Sequence, residues 1–97
     1  MKHFNQLTPS EHERLSILFE EASEVIQVVR KIMRHGFDCT HPDGGPTNRE
    51  LLEKELGDFK LAEIMMSESG DICREEIMKA VHQKNSRIGR YLHHQQS

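Results

Sequence analysis

Residues 8–36 read TPSEHERLSILFEEASEVIQVVRKIMRHG, and the fold turns on them. Thr8, Pro9 and Glu11 combine a capping hydroxyl, a proline suited to the first helical turn and a glutamate that can reach back to the cap, which starts a helix. Leu15, Phe19, Ala22, Ile26, Val29 and Met33 then recur at three- and four-residue spacing, and Gly36 supplies a C-terminal stop. The spacing predicts one helix over about residues 9–35 with that stripe as its core side. A second stripe runs through Ile17, Glu21, Glu24 and Val28, where acids are flanked by apolar residues one turn away on either side.

Working outward, GFDCTHPDGGPT (36–47) concentrates turn-forming residues into a loop of about a dozen positions. TNRE (47–50) is a second capping box. Leu52, Leu56, Phe59 and Met66 carry a second helix to Gly70. Asp71 is expected to start a third, with Ile72, Ile77, Val81, Ile88 and Leu92 as its core side. The terminal HHQQS (93–97) is expected to lie outside regular structure. With no strand alternation or repeat, the class is all-α: a helical bundle of three main helices with a long loop between the first two, in one domain spanning 1–97.

The chain has 97 residues, 35% of them hydrophobic, and a formal charge of −3. One core is all that such a length can build, and a chain this small commonly gains stability from a metal or from other copies. The breadth of apolar surface on the first helix predicts a homodimer or homotetramer. The acidic balance argues against a nucleic-acid partner. No apolar run approaches the roughly 18 residues of a membrane span. Cys39 and Cys73 lack a disulfide spacing pattern, and the N-terminal residues lack the apolar region of a signal peptide, so a cytoplasmic setting is expected.

The acid pattern of the first helix recurs in the second: Leu51, Glu55, Asp58 and Ala62 keep the same spacing, with Met65 a turn further on. Single glutamates usually decorate solvated faces. Two acid pairs embedded in apolar stripes repel one another when two helices pack, so a positive partner must compensate. All-oxygen donors select hard cations such as Mg²⁺, with Mn²⁺ as a substitute, and helical bundles are a known setting for carboxylate metal sites. His35, Cys39, His41 and Cys73 lack the paired spacing of a zinc site. They read first as loop polarity, with His41, Asp43 or Asn48 available to a base edge if the loop lines a substrate pocket. Met65, Met66 and Met78 read as core filler. Arg30 and Lys31 either reach phosphates or favour the helix dipole.

EEASE (20–24) and ELGD (55–58) resemble the EExxE and ExxD motifs of the all-α nucleoside triphosphate pyrophosphohydrolases of the MazG type. KNSR (84–87) is similar to the Lys-Asn segment with a nearby arginine that follows in that family. The resemblance covers roughly residues 10–90 and implies Mg²⁺-dependent cleavage of a nucleoside triphosphate between the α and β phosphates. On that resemblance Glu21, Glu24, Glu55 and Asp58 are the metal ligands, and Glu20 orients or deprotonates the attacking water. Lys84 and Arg87 meet phosphate oxygens, and Asn85 meets phosphate or sugar. The interval from Glu24 to Glu55 is at the long end of the family's range. The short chain resembles small stand-alone members, including phage-encoded ones, for which the setting would be the host cytoplasm. Two other readings stand beside it: an enzyme resembling phosphoribosyl-ATP pyrophosphohydrolase, and a non-catalytic helical dimerisation module. Phosphoryl transfer suits any such site, because it asks the protein mainly to position groups and neutralise charge.

Overall fold

Local hydrogen-bonding chemistry sets the helix limits. A computed structural model describes residues 4–95 and is all-helical, with no strand among them. Helix α1 spans Pro9–His35, α2 Asn48–Glu68 and α3 Arg74–Arg87, and a short 3-10 helix follows at Ile88–Tyr91. Thr8 and Thr47 cap α1 and α2 through complete capping boxes: each hydroxyl accepts from the amide of Glu11 or Glu50, whose carboxylate accepts the threonine N–H in return. Gly36 ends α1 at φ 88°, ψ 169°, backbone that is essentially glycine-only. Residues 93–95 of the terminal segment form bends and a turn, and Gln96 and Ser97 lie outside the described residues.

Helices α1 and α2 form an antiparallel hairpin, as three pairings along its length show. Asn48 bonds back to Gly36 at the loop end, Glu21 meets Asp58 in the middle, and Arg14 meets Asp71 at the far end. The buried apolar residues are Val28, Ala62 and Met66. Met66 is 4% exposed, so Met66→Ala is expected to lower the unfolding free energy by about 2 to 5 kcal/mol, read from a denaturant midpoint at unchanged slope.

The face of α1 that packs on α2 is the one carrying the acids, Ile17–Glu21–Glu24–Val28. This corrects the core assignment. Phe19 is 79% exposed, Ile26 58% and Met33 83%, with Leu15 and Val29 also exposed. Two apolar stripes roughly 150° apart on one helix cannot both face a single neighbour. The hairpin covers the acid-bearing stripe and leaves the purely apolar one in solvent. Leu56 of α2 is exposed as well.

Helix α3 also departs from expectation. It begins at Arg74 after a Cys73 cap whose side chain makes no capping hydrogen bond, rather than at Asp71. The Asp71 carboxylate is taken by Arg14, which donates Nε–H and Nη2–H to it at 2.6 and 3.0 Å, and so cannot cap. α3 then leaves the hairpin without packing along either long helix. Ile72, Ile77 and Ile88 are half-buried, while Val81, Leu92 and Met78 are exposed, so the continuous core side expected for α3 and the filler role of Met78 are not found in one chain.

The Arg14 hydrogen bonds hold the Asp71 carboxyl below its ordinary range, and Asp71 in turn raises the Arg14 guanidinium. A depressed carboxylate contributes stability in full above its unfolded value, near pH 4, and that contribution is lost as pH falls through the folded value. Melting temperatures between pH 7 and pH 3 are therefore expected to fall less steeply in Asp71→Asn than in the wild type.

Helix α3 stands away from the hairpin, and the shape reflects it. The radius of gyration is 17.2 Å, against about 12.5 Å for a compact chain of this length. The accessible surface is 8114 Å², roughly 2,400 Å² above that of a compact monomer of the same mass.

Candidate functional site

Antiparallel packing brings acids from both long helices to one point midway along the hairpin. One carboxylate oxygen each from Glu21, Glu55 and Asp58 lies within 4.8 Å of the others. All three residues are half-buried, and the Glu55 side chain is 12% exposed. Glu21 is held by its place between Ile17 and Val28 on the covered stripe. Glu55 and Asp58 share a face of α2 because residues three apart are neighbours on a helix.

Glu24, expected as a fourth member, stands outside this group. It is half-buried and lies almost a turn closer to the loop along α1 than Glu21. Glu20 is exposed beside the triad. Lys84, Asn85 and Arg87 lie on the outer half of α3, exposed, and line surface hollows with Ile88 that contain none of the acids. Within one chain the cations of α3 do not cover the carboxylates, because α3 does not pack along the hairpin.

The positive partner that the acids require is Lys54, a residue the motif reading passed over. Its ammonium donates to Asp58 Oδ2 at 2.9 Å and approaches Glu55 Oε1 at 3.3 Å. These contacts, led by the one to Asp58, raise the lysine above its ordinary value. The four-residue interval from Lys54 to Asp58 was the available signal, since oppositely charged residues at that spacing meet on a helix. Glu21 keeps no such partner. Desolvation first, then the charges of Asp58, Glu55 and Glu20, push its carboxyl above the ordinary range, and Lys54 offsets this only in part.

The donor set is all oxygen, drawn from two rigid helices and clear of sulfur or imidazole, which fits a hard divalent cation. Cys39 and Cys73 are free and exposed. Asn48 is buried and its side-chain amide donates to the Gly36 carbonyl at 3.1 Å, which ties the loop to the end of α1. No helix is long and apolar enough to cross a membrane among the described residues. Comparison of the chain with protein-family models, curated proteins and solved structures found no match in any of the three.

Proposed function

We propose that this chain hydrolyses (deoxy)nucleoside triphosphates between the α and β phosphates in a Mg²⁺-dependent reaction, releasing a nucleoside monophosphate and pyrophosphate. The observation that supports it is the convergence of Glu21, Glu55 and Asp58 from two helices, with Glu21 left short of compensating charge. Glu21, Glu55 and Asp58 would hold the cation, with Glu24 a turn away as a further ligand. Mg²⁺, or Mn²⁺ in its place, supplies charge neutralisation of the phosphates and a lowered pKa for water.

The chain's own residues then have separate tasks. Glu20, exposed beside the triad, orients or deprotonates the attacking water. Lys54 is 64% exposed on a flexible stem, so its ammonium can swing out as a divalent ion enters and still meet phosphate oxygen. Lys84 and Arg87 neutralise phosphate, and Asn85 bonds phosphate or sugar.

Assembly belongs to the same proposal. Leu15, Phe19, Ala22, Ile26, Val29 and Met33 alternate at intervals of four and three, the seam spacing by which one helix packs against another. The excess surface, about 2,400 Å², is of the size that permanent homodimers bury. A homodimer or homotetramer through the α1 seam would cover it.

A panel of nucleoside triphosphates, with phosphoribosyl-ATP included, incubated with Mg²⁺ and assayed for pyrophosphate tests the activity. Turnover of phosphoribosyl-ATP alone would move the reading to that substrate. One observation favours the non-catalytic helical module instead: Lys54 already bridges two of the three acids. No pyrophosphate from any substrate, in a protein that still assembles, would select it.

A further inference from the structure

At the loop end of the hairpin, away from the acids, the chain builds a second recess. The last turns of α1, the 36–47 loop and the start of α2 enclose a cavity of about 640 Å³, within the range of small-molecule pockets. Pro46 and Leu51 are among its apolar walls, and Lys31, Arg34, His35 and His41 bring basic side chains to it. No carboxylate lines it among the described residues.

Three of the basic side chains at this cavity are not neutralised by an acid. Arg14, Arg49, Lys54, Lys60 and Lys79 each have a carboxylate partner. Among the described residues Lys31, Arg34 and His35 have none, as holds also for Arg30, Lys84, Arg87 and Arg90, while His41 lies 3.6 Å from Asp43. What distinguishes the first three is that they stand around one cavity. A favourable interaction with the α1 dipole accounts for basic residues near that C-terminus. It does not account for a walled cavity between them.

The loop is held in shape rather than draped. Asn48 N–H donates to the Cys39 carbonyl at 3.0 Å, Arg49 N–H to Phe37 at 2.9 Å and Gly44 N–H to His41 at 2.8 Å. Outside, the Arg49 guanidinium lies 5.1 Å from the Phe37 ring centre and pairs with Asp38. These bonds, with those of Glu50 and Leu51 to Thr47, use all four leading amides of α2. An anion in the cavity must therefore be held by side chains, not by the helix N-terminus.

We infer that this cavity binds a phosphate-bearing small molecule, with Lys31 and Arg34 as its principal phosphate ligands and the proline and leucine walls against its apolar part. The inference does not depend on the acid triad. Its ligand is either the reacting nucleotide, reaching past Leu51 from the acids one turn on, or a separate phosphate-bearing effector.

Inorganic pyrophosphate titrated into the full chain in EDTA, followed by calorimetry and by amide shifts, tests it without reference to turnover. Saturable binding is expected, with shifts centred on residues 31–51. Lys31→Gln and Arg34→Gln should each weaken it by about 10- to 100-fold, the worth of one charge-assisted hydrogen bond, with melting temperatures held. Glu55→Gln and the pair Lys84→Gln, Arg87→Gln should leave it intact. Absence of saturable binding overturns the inference, and so does binding that survives both cavity variants or is lost with Lys84 and Arg87. In the turnover assay, a KM raised by Arg34→Gln at unchanged kcat identifies the ligand as the substrate. Unchanged KM with lost pyrophosphate binding identifies an effector.

Discussion

Pyrophosphate release from a nucleoside triphosphate is expected to fall by more than about 100-fold in Glu55→Gln, with the helical circular dichroism signal retained. The substitution keeps the shape of the side chain and removes a charge from a three-carboxylate group. Even the outer partners of metal ligands are worth about 10- to 100-fold, so a direct ligand should exceed that. Glu21→Gln should lose activity equally while gaining stability in the absence of metal. The Glu21 carboxylate is desolvated and faces Asp58, Glu55 and Glu20, so in EDTA removing its charge relieves repulsion and the melting temperature should rise. Mg²⁺ should then stabilise the wild type by mass action and have little effect on either variant. If Mg²⁺ shifts neither the wild-type melting temperature nor any catalytic rate, the acids serve another purpose.

The second large effect concerns assembly. Phe19→Glu with Ile26→Glu is expected to convert the protein to monomers at concentrations where the wild type is associated, seen as a halved or quartered mass in light scattering. Both side chains project from the uncovered stripe, at 79% and 58% exposure, so neither substitution disturbs the α1 to α2 packing. Buried anchors of this kind contribute about 2 kcal/mol or more each, which makes the pair worth roughly 1,000-fold in dissociation. Leu61→Glu on α2, also exposed but off the seam, is the matching control and should leave the mass unchanged. A wild type that is monomeric at high concentration would remove the seam from the account and leave its exposure unexplained.

The sequence by itself determined that there are three main helices, both ends of α1 and the start of α2. Thr8 with Glu11, Thr47 with Glu50, and the stop at Gly36 are interactions between residues a few positions apart, so chain order specifies them without reference to anything distant. It also indicated that acids of the two long helices would meet, which holds for Glu21 with Glu55 and Asp58, because spacing fixes which side chains share a helix face. Tertiary structure alone decided which of α1's two apolar stripes faces α2, since a one-dimensional pattern ranks stripes by hydrophobicity and cannot measure how closely each one fits the facing helix. The same holds for Arg14 drawing Asp71 away from a capping role across 57 residues, for Glu24 turning out of the triad, and for the loop closing a basic cavity over Leu51. Each depends on where distant segments stand when they pack, and that is set by the collective burial of the hairpin, not by any local spacing.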